Sequence, residues 1–361
     1  MTLWDPAAHE PLVEDHWDED RVRAAIRAIA VDAEDAFDDG WPPHPDDVEA
    51  GADGAGPWSC LYFGGAGVVD ALRRLSERGL AELKRDYVLY LERLGPDEPG
   101  PSLFAGETGM LLVRHRLAPS AASHDRLREL VAAHADEDHR ELLYGSPGTM
   151  LVARELDFDD LWLQSAERLR AALDSKTGLW TQHFGGEAYR YLGAAHGFAG
   201  CVLALGDVGG AGGTARRYAV VEDGLANWPP LADGGLERNG TIRLQWCHGA
   251  PGMVTSLSTL LDEELAVAGG ELTWRAGPPA KGAGLCHGTA GNGYAFLTLL
   301  GRTGDERWLE RARRFAMHAI AQVERSRTAH GMGRYSLWTG DPGTALYLAD
   351  CVEGRGRLPI P

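Results

Sequence analysis

Leu285-Cys286-His287-Gly288-Thr289-Ala290-Gly291 sets a Cys-His pair directly before a Gly-x-x-Gly step. Trp246-Cys247-His248-Gly249-Ala250-Pro251-Gly252 repeats the arrangement one period earlier. Thiolate and imidazole are ligands that Zn²⁺ prefers, and three protein ligands with one open position is the pattern of a catalytic zinc. The two stretches therefore point to Cys247, Cys286 and His287 as ligands of one zinc that activates a thiol. The plainer alternative is packing, because free cysteine fills apolar interiors well. The return of the same tripeptide in the same local frame favours the metal.

The Gly-x-x-Gly step itself recurs. Its first glycines are Gly64, Gly106, Gly145, Gly197, Gly249, Gly288 and Gly340, separated by 42, 39, 52, 52, 39 and 52 residues. An apolar run follows each step, such as Met110-Leu111-Leu112-Val113 and Tyr294-Ala295-Phe296-Leu297. Apolar content on every face is the mark of a buried helix. Between these runs lie amphipathic segments at Asp20–Phe37, Arg126–Asp136, Asp159–Leu173 and Asp305–Glu324. In the last, Trp308, Ala312, Phe315 and Ala319 recur at helical spacings of three and four. A period of roughly 40–50 residues holds two helices and their connections. The pattern predicts an all-α fold, an α/α toroid of seven helical hairpins with inner and outer helix rings.

Glycine at each turn lacks Cβ, which permits positive φ and close backbone approach. The inner helices can then crowd around one axis with their N-termini at one end. The residues before the first glycines are Phe63, Ala105, Tyr144, His196, His248, His287 and Thr339. They are expected to line one mouth, with the histidines in consecutive repeats. Pro and Gly gather at Gly40–Pro57, Gly95–Pro101, Gly206–Gly213, Trp228–Gly240 and Gly269–Gly284, which read as loops. None divides the chain, so residues 1–361 read as a single domain, with repeats over about 20–352 and an N-terminal extension over 1–19.

Composition narrows the functions. The chain has 361 residues, 44% of them hydrophobic, and a net charge of −18 from 53 acidic and 35 basic residues. That balance argues against nucleic acid or an anionic membrane as the main partner, since both need a positive footprint. No run approaches the roughly 18 apolar residues of a membrane span. The N-terminus lacks the apolar core of a secretory signal. Five scattered cysteines do not form a disulfide framework. A cytoplasmic, reducing setting is expected, and it suits thiolate ligands.

Two thiolates and a neutral imidazole leave a Zn²⁺ centre near zero net charge. Zinc deprotonates a coordinated thiol, and sulfur donors temper its Lewis acidity. Ligand choice thus points to sulfur transfer or alkylation; His₃ or His₂Glu would suit water activation. His248 as a fourth ligand would make the site structural, but it is joined to Cys247 by one peptide bond and points elsewhere in most geometries. His196 is a candidate acid or base at the rim, or else a rim histidine held by packing. Arg243 and Glu141 can reach the rim; each also reads as a solvated or salt-bridged charge. Trp246 and Tyr144 are expected to wall the site. The ten remaining histidines, His44 and His330 among them, read as surface or packing residues.

At these residues the chain resembles the lanthionine synthetase C-like family. The resemblance rests on Gln245 to Gly252, Gly284 to Asn292, Gly193 to Gly200 and Glu141 to Gly145, and the period extends it from about Asp20 to Cys351. It implies an α/α toroid with one zinc at the mouth. It also implies addition of a thiol, glutathione or a peptide cysteine, to dehydroalanine or dehydrobutyrine in a peptide or protein, giving a thioether. Cys247, Cys286 and His287 match the family's zinc ligands. His196 matches the histidine that protonates the enolate carbon, Arg243 the basic residue near the enolate, and Glu141 an acidic residue of the cyclases. The blocks are closer to the family's stand-alone members than to its peptide cyclases, and no fused dehydratase is expected. Two alternatives within the family are a lanthipeptide cyclase acting on a separately dehydrated precursor and a non-catalytic zinc- and glutathione-binding protein. Outside it, a six-hairpin glycosidase would need paired carboxylates, and a prenyltransferase would need a partner subunit and an acidic zinc ligand.

Overall fold

Fourteen α-helices are found among the described residues, and they alternate in character along the chain. They pair as α1 (Glu19–Asp35) with α2 (Gly65–Glu77), α3 (Tyr87–Arg93) with α4 (Glu107–Leu117), α5 (Ala121–His134) with α6 (Ser146–Glu155), and α7 (Asp159–Ala171) with α8 (Phe198–Leu205). The series continues as α9 (Ala211–Tyr218) with α10 (Ala250–Leu257), α11 (Glu263–Ala276) with α12 (Thr289–Thr303), and α13 (Arg307–His330) with α14 (Asp341–Glu353). The structure is a computed structural model; it describes residues 2–48, 58–98, 100–135, 137–206, 208–235 and 239–361. The expected loop residues 49–57, 99, 207 and 236–238, and the helix end at Asp136, lie outside it.

The first helix of each pair is outer and the second inner. Outer α13 buries Trp308, Ala312, Phe315 and Ala319, the stripe its spacing predicts. Inner α14 is buried without a break from Asp341 to Cys351. Inner helices pack on their neighbours from α6 through α8, α10 and α12 to α14, α14 packs on α2 and α2 on α4, and outer α5 packs on both α4 and α6, so the ring closes.

All seven inner helices begin at a glycine with no side-chain cap. Their first N–H groups would be orphaned, and the preceding loop supplies acceptors by doubling back. Phe198 N–H donates to the Tyr191 carbonyl at 2.9 Å, Thr289 N–H to Gly282 at 2.9 Å, and Asp341 N–H to Arg334 at 2.8 Å. A loop that returns so tightly leaves no room for a side chain. A Cβ at Gly148 would sit 2.5 Å from the Leu142 carbonyl oxygen. At Gly67, Gly109, Gly200, Gly252, Gly291 and Gly343 it would come closer still, each time to the carbonyl six residues back. Close approach therefore explains the glycines; of the seven first glycines only Gly249 has positive φ, at 118°.

The turns are also stitched to one another. Cys247 N–H donates to the Cys286 carbonyl at 3.0 Å, Cys286 N–H to Trp338 at 2.8 Å, Trp338 N–H to Tyr62 at 3.3 Å, and Tyr62 N–H to Phe104 at 3.0 Å. Leu142 N–H reaches Ala195 at 3.0 Å and Ala195 N–H reaches Cys247 at 3.4 Å. At the opposite end of the inner helices, buried Asp350 accepts from Arg78 at 2.6 Å and from Tyr294 at 2.7 Å, tying α14 to α2 and α12.

Two expected loops are corrected. The loops at Gly206–Gly213 and Gly269–Gly284 are shorter, because α9 starts at Ala211 and α11 runs on to Ala276. Glycine sits inside these helices for packing: a Cβ at Gly270 would strike Leu299 and Trp308, and one at Gly212 the Leu260 carbonyl. Two antiparallel ribbons decorate the helical ring, β1 (Gln182–Phe184) with β2 (Glu187–Tyr189), and β3 (Val220–Glu222) with β4 (Leu225–Asn227). Gly185 and Gly186 both take positive φ at the first turn, as a two-residue hairpin loop requires. The N-terminal extension is docked: Glu10 N–H bonds the Pro278 carbonyl at 2.9 Å, and the Glu10 carboxylate takes Gln322 and Arg325. Among the described residues, no helix is long and apolar enough to cross a membrane.

Candidate metal centre

The turn-to-turn hydrogen bonds run mainly through the residue two places before each first glycine. That slot holds Tyr62, Phe104, Leu143, Ala195, Cys247, Cys286 and Trp338. Cysteines in adjacent repeats therefore meet as backbone neighbours. One ligand atom from each of Cys247, Cys286 and His287 lies within 4.8 Å of the other two. Both cysteines are buried and His287 is half-buried. The hydrogen bond from the Cys286 thiol lowers the Cys247 pKa well below the usual thiol value. The same bond pushes Cys286 well above it, with burial acting the same way. The Gln245 side-chain amide donates to Cys247 Sγ at 2.9 Å, a further support for the thiolate.

Two sulfurs and an imidazole nitrogen converging in a buried pocket are a soft donor set that fits zinc. His248 stands outside the cluster, its ring 6.0 Å from that of His196. Three protein ligands leave a position open. Tyr62 occupies the same slot as the cysteines, and its hydroxyl bonds to Cys286. The sequence reading passed over Tyr62, although its register was the available signal. Lys281, whose charge favours the Cys286 thiolate, carried no such signal.

His196 sits one repeat away. Its Nδ1 is 2.9 Å from Glu141 Oε2. Glu141 is fully buried and also accepts the backbone N–H groups of Leu143, at 3.0 Å, and Tyr144. An ionised carboxylate only accepts, so Nδ1 carries the proton and Nε2 is left for chemistry. Tyr144 lies parallel to the ring at 6.1 Å, with Phe184 edge-on at 5.6 Å. Phe184 comes from β1, an element the sequence reading did not foresee.

Arg243 is half-buried and lines a cavity of about 420 Å³ with Gln245 and Lys281. Burial raises the Tyr191 hydroxyl pKa and the Arg243 charge opposes that rise, so the guanidinium acts near the Tyr191 ring, which is 6.2 Å from His196. Tyr144 walls the site as expected, but Trp246 does not. Trp246 is fully buried against Trp338, ring centres 4.6 Å apart, because its slot points into the core.

An α/α toroid with a thiol–imidazole cluster at its mouth, beside a carboxylate-held histidine, defines the class. The chain belongs to the lanthionine synthetase C-like protein family, whose model matches residues 59–358. It is similar to Glutathione S-transferase LANCL1 of Danio rerio, 31% identical over 191 residues, covering 47% of this chain and 45% of that protein. It is also similar to LanC-like protein GCL1 of Arabidopsis thaliana, 32% identical over 185 residues, covering 45% and 41% respectively. The matched stretch thus spans less than half of these relatives. The solved structure of a nisin cyclase aligns over 81% of this chain and 88% of its own, with a TM-score of 0.59 at 16% identity, a likeness of fold.

Proposed function

We propose that the chain adds a thiol to the β-carbon of dehydroalanine or dehydrobutyrine residues, forming a thioether, with one zinc held by Cys247, Cys286 and His287. The convergence of those three side chains beside the Glu141–His196 pair carries the reading. Bound there, zinc would supply a substrate thiolate at neutral pH. Gln245 orients Cys247, and Glu141 fixes the His196 tautomer. Sulfur forms its bond to Cβ while the π pair moves to Cα as an enolate. Arg243 offsets the enolate charge, and His196, having taken up on Nε2 the proton that the thiol loses, delivers it to Cα. The thiol's own proton thereby ends on Cα, and no co-reactant is consumed. Glutathione is the favoured thiol, on the strength of the relative's name. A reducing cytoplasm is the setting this chemistry asks for.

The test is mass spectrometry after incubation with glutathione and a dehydroalanine peptide. The product mass is expected with the intact chain and lost, together with tightly held zinc, in Cys286→Ala. Zinc binding without addition of glutathione or of a peptide's own cysteine would refute catalysis and leave a thiol-binding protein.

A further inference from the structure

A second group of donors lies outside the site just described. His44 stands between Pro43 and Pro45 in the α1–α2 connection, Asp46 follows it, and His330 is the last residue of α13. One donor atom from each lies within 4.8 Å of the others. His44 Nδ1 is 3.6 Å from Asp46 Oδ2, His330 Nε2 is 3.8 Å from the same oxygen, and the two rings are 4.5 Å apart. Donor atoms on a tetrahedral zinc with bonds of about 2.0–2.1 Å stand about 3.3 Å apart, so a shift of a few tenths of an ångström closes the two edges that meet at Asp46.

We propose that His44, Asp46 and His330 form a second divalent-metal site, an N₂O donor set suited to zinc. His44 is buried, and one of its ring nitrogens, Nε2, has no hydrogen-bond partner among the described residues. Nδ1 also accepts the Asp46 N–H at 3.2 Å, a contact that a metal on that nitrogen displaces. The flanking prolines fix the backbone on both sides of His44. Nearby Arg334 is already committed to Asp47, which leaves the Asp46 carboxylate for the metal. Asp46 and His330 line a cavity of about 270 Å³ together with Lys281, Gly284 and Thr339. A bound ion would clamp the α1–α2 connection to the end of α13, bracing one wall of the mouth.

Cobalt substitution distinguishes the two centres, since only the cysteine site gives sulfur-to-metal charge-transfer bands. Metal-stripped protein titrated with Co²⁺ is expected to take two ions, one with those bands and one with ligand-field bands alone. Native mass spectrometry with zinc should count two ions in the intact chain, and one each in His330→Ala, His44→Gln and Cys286→Ala. A single ion in the intact chain, or two ions retained in both His330→Ala and His44→Gln, would overturn the proposal. The two histidine variants keep the test decisive if Cys286→Ala fails to fold.

Discussion

Glu141→Gln isolates what the buried carboxylate does for His196. In the native site, Oε2 receives both His196 Nδ1–H and Leu143 N–H, while Oε1 receives Tyr144 N–H. Glutamine has one acceptor oxygen and two N–H donors. With that oxygen in the Oε2 position Tyr144 N–H faces the amide N–H; with it in the Oε1 position both His196 Nδ1–H and Leu143 N–H do. In the second orientation the imidazole loses its charge-assisted partner, worth about 1.5–3 kcal/mol. At about 2 kcal/mol the rate falls ~30-fold, since 1.36 kcal/mol is a factor of ten. Removing the proton donor outright, as in His196→Ala, should cost about 10²–10⁴-fold. The two residues act through one proton, so the double variant should be no slower than His196→Ala alone. Thioether formation would be followed by mass spectrometry at saturating and limiting glutathione. The loss should fall on kcat, with KM for the thiol and the zinc content unchanged. A Glu141→Gln chain at native rate would refute the reasoning. So would a double variant whose loss is the product of the two single losses.

The same chemical change, a methyl in place of hydrogen, should act with opposite sign at two positions of α12. Gly291→Ala drives a Cβ into the Leu285 carbonyl and should cost about 1–3 kcal/mol as overpacking. Gly301 is exposed with open space around it, so Gly301→Ala should stabilise by about 0.5–1 kcal/mol through helix propensity; thermal melts of the pair check both signs. Burial lowers His134 from 6.5 to about 4. The unfolded chain therefore binds a proton below pH 6.5 that the folded chain refuses until about pH 4. This contribution to stability is complete above pH 6.5, and about 3 kcal/mol of it is lost as pH falls to 4. Urea midpoints across that range should drop less steeply in His134→Gln than in the intact chain.

The fold was legible because the repeat writes one steric requirement seven times. Each glycine records a carbonyl six residues back, and the apolar run after it records a helix with no solvent face. What the period could not give were features that differ between repeats. Glycines inside α9 and α11 answer to Leu260, Leu299 and Trp308, contacts with distant parts of the chain. The ribbon carrying Phe184 is an insertion in one repeat, outside the shared pattern. Trp246 was misplaced for a related reason. Its slot, three before the glycine, is otherwise Leu or Ala and faces the core. Residue type at that position points to the mouth, whereas register points to the core.

Register also accounts for the second cluster going unseen. His44 and His330 belong to no shared slot; they meet because the chain's first connection lies against the end of its last outer helix when the ring closes. The candidate metal centre arises by the opposite route. Hydrogen bonds between successive turns make the residue two before the glycine a neighbour of its counterpart in the next repeat from Ala195 through Cys247, Cys286, Trp338 and Tyr62 to Phe104. A cysteine in one repeat has no partner, and two in distant repeats would be held apart. Two in adjacent repeats are brought together by the backbone before any metal is present. The histidine that completes the set needs only to follow the second cysteine. Symmetry therefore supplies the geometry, and a departure from it in three side chains supplies the chemistry. Moving Cys247 by one residue would turn its side chain off the mouth while leaving the ring of helices intact.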